Sequence, residues 1–301
     1  MATYEATKAV QRMQNHIEEH IGESITLEDL SKAAGYSQSH SLRIFKELTG
    51  STPFEYIRRY RLTHGAKRLM SGNVRIADVA SGCAFDTHEG FTRAFSKEFG
   101  LSPETYKTHP TQVRFFIPYS VLIRYLVSNK EGRKMEKKEK QTVFTQVVER
   151  PKRKAIIKRG IKAEEYFGYC DEAGCDVWGV LESIREALYE PAGFWLPEKL
   201  IEKGTSKYVL GVEVPFGYSG EVSEGFETIE LEQCKMMVFQ GEPYDDNGFD
   251  EAIADIWGAI DKFDPKLYGF EWADADAPRF QFMPVGQRGY IEGRPIKALT
   301  K

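Results

Sequence analysis

Apolar residues recur at helical spacing through the first hundred or so positions and tend to alternate through the last half, so helices are expected first and strands afterwards. Thr26 precedes Leu27, Leu30 and Ala33/Ala34, and Gly35 follows them. That order places a cap before a short helix and a permissive backbone position just past its end. Ser37 then opens a second helix, with Ile44, Phe45 and Leu48 as its inward stripe, which stops at Gly50 with Pro53 beyond. Cap, short helix, glycine, cap and second helix predict a helix-turn-helix unit. The stripe leaves Ser39, Leu42, Arg43 and Lys46 on or near the outward face of the second helix.

The unit occurs twice. ITLEDLSKAAGYS (25–37) matches VRIADVASGCAFD (74–86) at an offset of 49, and RIFKELTGSTPFEY (43–56) matches RAFSKEFGLSPETY (93–106) at an offset of 50, so one residue is inserted in the second turn. In the second copy Phe91, Ala94/Phe95 and Phe99 face inward, leaving His88, Glu89, Thr92 and Arg93 near the outward face. Between the copies, PFEYIRRYRLTHGAKRLM (53–70) suits one long amphipathic helix with Arg58, Arg59, Arg61, Lys67 and Arg68 on a basic side. A helix of that length can hold two recognition helices about one duplex turn, roughly 34 Å, apart. Its cations, Arg61 among them, are expected on phosphates, which supply affinity rather than sequence choice.

The later half carries alternating runs: RKAIIKR (153–159), KYVLGVEVP (207–215), GFETIEL (225–231), KMMVFQG (235–241), RFQFMPV (279–285) and GYIEGRPIK (289–297). DVWGVL (176–181) and DIWGAI (255–260) match at an offset of 79 and mark helices over 176–189 and 249–263. Strand, helix, strand, strand, twice over, predicts a curved antiparallel sheet with two helices on one face and a groove between its halves. The fold class is therefore multidomain, an all-α double helix-turn-helix domain followed by an α+β domain. The expected boundaries are 1–110, a connector at 111–141, and 142–301. Within the connector, TQVRFFIPYSVLIRYLVS (111–128) is apolar and expected to pack on a domain or form an interdomain element. NKEGRKMEKKEK (129–140) reads as a flexible or helical tether.

Charge sharpens that division. The 301 residues carry a net charge of −4, which sums +1 over 1–110 (14 basic, 13 acidic), +5 over 111–141 (8 and 3) and −10 over 142–301 (19 and 29). Such asymmetry suggests one end that meets nucleic acid and one with another task. No apolar run approaches the roughly 20 residues of a membrane span, and the N-terminus lacks the basic-then-apolar order of a secretory signal. A soluble cytoplasmic protein with no membrane partner is expected. Four cysteines form no CxxC pair and read as reduced thiols, with no metal site. No histidine follows His109, which removes the commonest general base from the acidic half, and no nucleophile with an adjacent base is visible. No enzyme, catalytic residue or cofactor is expected.

The strings FKELTGSTPFEYIRRYR and FSKEFGLSPETYK, with their recurring glycine and proline punctuation, resemble the AraC/XylS family of bacterial transcription regulators over residues 8–107. The resemblance implies a double-stranded DNA operator whose bases are read by Ser39, Leu42 and Arg43, then His88, Glu89, Thr92 and Arg93. Two departures stand out: Ser41 where the family usually buries a leucine, and Leu42 at an often polar base-facing position, suited to a thymine methyl. The acidic half, through KYVLGVEVP, ELEQCKMMVFQGEPYDD and GYIEGRPIK, is similar to the GyrI-like effector-binding domains found behind AraC-type domains. That resemblance implies an aromatic groove with a carboxylate for a small organic effector, often cationic. Trp178, Trp195, Phe216, Phe239, Trp272 and Phe280 are the candidate rings, and Glu213, Glu271 or Glu292 the carboxylate, with Glu213 favoured because an acid within VLGVEVP needs a partner or an outward position. Gln281 falls near the family's ligand-facing acid. The expected function is a DNA-binding transcription regulator with a small-molecule effector. The alternative is a GyrI-like domain that hydrolyses or sequesters a small molecule, and RNA polymerase is a further partner the reading allows.

Overall fold

The computed structural model describes residues 3–128, 142–174 and 176–299, which fall into two compact units divided within the segment 129–141. The tether expected over 129–140 lies outside the described residues.

The first unit is helical: α1 Tyr4–Glu19, α2 Leu27–Ala34, α3 Gln38–Thr49, α4 Pro53–Met70, α5 Ile76–Gly82, α6 His88–Phe99, α7 Pro103–Thr108 and α8 Val121–Ser128. Local chemistry sets the boundaries. Thr26 and Asp29 form a reciprocal capping box at α2, as Thr52 and Glu55 do at α4, where Pro53 supplies the first turn. Ser37 caps α3 by accepting from the His40 N–H, and Thr87 caps α6 by accepting from Gly90. Gly35, Gly50 and Gly100 end their helices in the left-handed region.

Two apolar cores result, and α4 joins them. Its first half gives Tyr56 and Ile57 to a core with Val10, Met13, Leu30, Ile44 and Phe45. Its second half gives Leu62, Ala66 and Leu69 to a core with Val79, Phe91, Phe95 and Tyr106. At 1.5 Å per residue the helix runs roughly 27 Å between them.

The apolar stretch 111–128 belongs to this unit, so the boundary expected at residue 110 moves to the end of α8. Val113 and Phe115 enter the second core, and Phe116 and Tyr119 pack on the first. Two buried glutamines of α1 hold the chain there. Gln11 Oε1 accepts from Ser120 Oγ (2.7 Å) and the Leu122 N–H (3.2 Å); Gln14 donates to the Tyr119 carbonyl (2.9 Å) and accepts from the Val121 N–H (3.2 Å). The first N–H groups of a helix, here Val121 and Leu122 of α8, need such partners once they are buried.

The second unit contains β1 Phe144–Arg150, β2 Arg153–Arg159, α9 Tyr166–Ala173, α10 Val177–Glu182, β3 Ala192–Trp195, β4 Tyr208–Pro215, β5 Glu227–Leu231, β6 Cys234–Gln240, α11 Phe249–Lys262, β7 Phe270–Trp272, β8 Arg279–Phe282 and β9 Ile291–Ala298. The strands form one antiparallel sheet in the order β1-β6-β9-β8-β3-β4-β2-β5, with β7 on β9. Read outward from the central β8–β3 pair, β9 and β6 on one side answer β4 and β2 on the other. The outermost strands are crossed: β1, which precedes β2, pairs with β6, and β5, which precedes β6, pairs with β2.

The helix expected over 176–189 ends at Glu182, because the Ser183 hydroxyl takes the Val180 carbonyl (2.8 Å) and competes with the next helical bond. Trp178 is buried early in that short helix, whereas Trp257 sits midway along α11 and is 42% exposed, so the two Trp-Gly pairs do not occupy matching places. One sheet face buries Ala155, Ile157, Phe194, Val209, Met236, Val238 and Phe280. The other carries Met237, Phe239, Tyr290 and Ile296 beneath Ile256 and Ile260 of α11. Tyr208 shares that second face and packs edge-on against Tyr169 of α9, with centroids 5.9 Å apart.

Candidate nucleic-acid interface and effector groove

On α3, burial of Ser41, Ile44 and Phe45 turns the opposite side outward. Ser39, Arg43 and Lys46 are exposed there and Leu42 is half-buried, spaced 0, +3, +4 and +7 along one stripe. Arg43 lies 3.2 Å from His40 Nδ1 and 3.7 Å from a Glu47 oxygen, and His40 packs on Tyr36 at 4.6 Å. On α6, Phe91 and Phe95 face the core, while His88, Glu89 and Arg93 are exposed. Thr92 departs from the expected outward set: it is half-buried, and its hydroxyl is enclosed without a hydrogen-bond partner. The Ser41 hydroxyl is likewise buried and unpartnered, at the position noted above as a departure.

Arg61 is also placed differently from expectation. Its guanidinium turns into the unit and donates to the carbonyls of Ile21 (2.9 Å) and Glu23, tying the α1–α2 turn to α4. Carbonyls just past a helix end are unsatisfied and attract a cation, and this draws Arg61 away from phosphate. Burial holds its pKa below the usual arginine value. Arg59 pairs with Glu98 (2.8 Å) and lies over the Phe116 ring (4.6 Å). Arg58, on the same helix, is exposed. Lys67 and Arg68 of α4 are exposed as well, so exposed cations lie on α4 and on the recognition helices alike.

In the second unit the residues expected around an effector fall on both faces of the sheet, and only some of them meet. Glu213 is buried on the sheet face away from α11 and accepts from Arg150 and from Arg153 Nε (2.6 Å). Arg150 in turn lies over the rings of Tyr189 (3.5 Å) and Phe280 (4.9 Å). Glu213 and Phe280 thus belong to a closed ion-pair and ring cluster. The acid in VLGVEVP has its partners, supplied by the end of β1 and the start of β2, which the tertiary fold brings near. Phe216 lies just past β4, exposed, with Lys152 4.6 Å above its ring. Trp272 packs on Phe239 and Phe263 under the end of α11. Trp178 is buried edge-on against Tyr166 (5.9 Å).

Gln281 does lie at the centre of the helix-bearing face. It donates to Tyr208 Oη (2.9 Å), and its Oε1 is 2.8 Å from Tyr290 Oη. Across the β8–β9 register stands Glu292, fully buried, one of the three carboxylates weighed from the sequence. It accepts from Arg279 Nε and from Trp257 Nε1 (2.9 Å), with Tyr290 Oη at 3.2 Å. The single Tyr290 proton goes either to Gln281 or to Glu292. Arg279 also lies over the Trp195 ring (5.0 Å), which packs edge-on against Tyr208 (5.1 Å).

Burial pushes the Glu292 carboxyl above the ordinary carboxylate value, opposed chiefly by Arg279, and lifts the phenols of Tyr208 and Tyr290 well above theirs. Trp257 is visible in the sequence only as half of a repeated Trp-Gly pair, and Arg279, Tyr290 and Tyr208 are not singled out there. The one signal available was a basic and an acidic residue set within two otherwise strand-like runs.

Among the described residues, Cys83, Cys170 and Cys234 are free thiols, no acidic, histidine and cysteine cluster could hold a metal ion, and no helix is long and apolar enough to cross a membrane. Cys175 lies outside the described residues.

A family model described as a helix-turn-helix domain matches residues 30–109. The uncharacterized HTH-type transcriptional regulator YbfP of Bacillus subtilis is 35% identical over 138 residues, 46% of this chain and 42% of that protein. The HTH-type transcriptional activator AarP of Providencia stuartii is 33% identical over 95 residues, 32% of this chain and 70% of AarP. The solved structure of SAV2435 bound to tetraphenylphosphonium is 13% identical with a TM-score of 0.35, covering 51% of this chain and 94% of that one. By its likeness to AarP over most of that protein's length, together with the helix-turn-helix match, the chain belongs to the AraC-type helix-turn-helix transcription regulators.

Proposed function

We propose that the protein is a ligand-responsive transcription regulator: the first unit binds an operator duplex, and the second receives a small organic effector. The observation that carries the reading is the pair of outward helix faces, Ser39, Leu42, Arg43 and Lys46 on α3 and His88, Glu89 and Arg93 on α6, each capped, anchored by its own core and joined to the other by one continuous helix. Recognition helices of this kind enter the major groove and read base edges with exposed side chains near their N-termini. Arg43→Ala and Arg93→Ala are each expected to cost about 1–3 kcal/mol of operator binding and to relax sequence choice, whereas Arg58→Ala weakens all sequences alike and lowers the salt slope. A binding-site selection followed by gel shift tests this; no preferred sequence at physiological salt overturns it.

The second unit supports the effector role through the cluster on its helix-bearing face. Aromatic rings and a few buried polar groups converge between the α9–α10 side and α11, which is the composition of a small-molecule site. The mirrored strand order is read as two copies of a strand, helix, strand, strand unit, with the groove at their junction. The surplus of ten acidic charges over 142–301 keeps this unit off phosphates and leaves its surface for RNA polymerase or another basic partner. A ligand screen by thermal shift checks the effector role, since a ligand that binds only the folded state raises Tm.

A further inference from the structure

The helix-bearing face, where the effector groove is proposed, holds a carboxylate and rings, the two elements that recognise an organic cation, and both are already engaged by a cation of the protein itself. Glu292, fully buried, is closed by Arg279 and by the Trp257 indole N–H. The same Arg279 guanidinium lies over Trp195, the ring that packs on Tyr208. An entering cation would have to displace a tethered guanidinium from its acid and its ring together, leaving that guanidinium to find new partners. An entering carboxylate leaves the pair intact. The Arg279 side chain is 30% exposed, and a guanidinium that gives its Nε–H to Glu292 has four further N–H donors in a planar fork suited to a second carboxylate. The adjoining acid, Glu165, is turned onto the start of α9, where it accepts from the Phe167 and Gly168 N–H groups (2.8 and 2.7 Å).

From this we infer that the effector of the groove is an aromatic carboxylate held by Arg279, with Glu292 fixing the guanidinium and Trp195 supplying the flat contact. The inference rests on the effector reading of the groove. It also runs against the charge of the whole unit, which attracts cations at long range, so the preference is local to Arg279 and strengthens as salt screens the distant acids.

The test uses the full chain and three probes of one shape: 2-naphthoate, neutral 2-naphthamide and the 2-naphthamidinium cation, each with its benzene counterpart, measured by calorimetry and tryptophan fluorescence. Naphthoate is expected to bind at least tenfold more tightly than the amidinium, with the amide between. Arg279→Gln is expected to abolish naphthoate binding and, by opening Glu292, to admit the amidinium. Because that variant leaves a buried acid without its cation, the charge-free pair Arg279→Gln with Glu292→Gln is run beside it and is expected to bind all three probes equally weakly. Tighter binding of the amidinium to the unaltered chain overturns the carboxylate class while leaving the groove as an effector site. Failure of every probe at millimolar concentration overturns the groove reading and the class together.

Discussion

In the first helix-turn-helix copy, Thr26 caps α2 with its own hydroxyl, Asp29 returns a bond to the Thr26 N–H (2.9 Å), and Gly35 takes the left-handed turn at φ 74°. In the second copy the matching residues are Arg75, Asp78 and Ala84. Arg75 offers no side-chain cap, Asp78 is drawn onto the Arg75 guanidinium (2.8 and 2.9 Å), and Ala84 holds φ 52° against its own Cβ. Packing shows the opposite ranking. The second copy runs Phe85, Phe91 and Phe95 in contact, with Phe99 and Tyr106 both packed on Phe95, whereas Phe45 of the first meets, among the described residues, a single ring, Tyr56; each copy also buries a hydroxyl without a partner, Ser41 in one and Thr92 in the other. One copy leans on local caps and its turn, the other on a cluster of rings, and the same backbone pattern tolerates either source of stability.

That contrast can be broken most decisively at Phe91. Phe91→Ala is expected to destabilise the first unit by about 3–5 kcal/mol, because the ring lies against Gly65 of α4, where an added Cβ would come within 2.9 Å of it, and nothing nearby can refill the space. Urea unfolding followed by far-UV circular dichroism reads this, since all four tryptophans lie in the second unit. A loss no larger than that of Ile44→Ala would remove the packing half of the comparison. Ser41→Ala should move the other way and raise stability by about 1 kcal/mol, because it deletes a buried hydroxyl that bonds to nothing.

The local half is tested by smaller changes. Thr26→Ala is expected to cost about 1 kcal/mol through loss of the capping box. Ala84→Gly is expected to gain roughly 0.5–1 kcal/mol, the left-handed strain relieved less the added freedom of the unfolded glycine. Thermal unfolding of the two variants side by side checks both signs. If Ala84→Gly destabilises, the turn of the second copy is not strained and the comparison narrows to packing alone.

The helical unit was legible because caps, glycines and apolar spacing are local and occur twice, which made the stripes on α3 and α6 readable residue by residue. What escaped was settled at a distance. Whether an arginine faces solvent or a carbonyl depends on where another helix ends, so Arg61 was assigned to phosphate. Strands β1 and β3 were missed because FTQVVER is mostly exposed and AGFW is only four residues long. Arg150 lies on β1, and Arg153 reaches Glu213 only through the pairing of β2 with β4, so the acid that looks most in need of a ligand is already satisfied. Glu292 meets Arg279 only through the register of β8 against β9, a pairing that alternation along either strand cannot show.

The crossed outer strands bear on how the second unit is made. Synthesis delivers β1 before β6, its partner, by about 5 to 20 s at ordinary elongation rates. During that interval Phe144 and Val147, still largely exposed in the finished unit, stand on a strand with an unfilled edge. β5, by contrast, emerges when β2 has already been made and can pair at once. The sheet of the acidic half is therefore completed only after β6 leaves the ribosome, while the helical unit ahead of it is already free to fold.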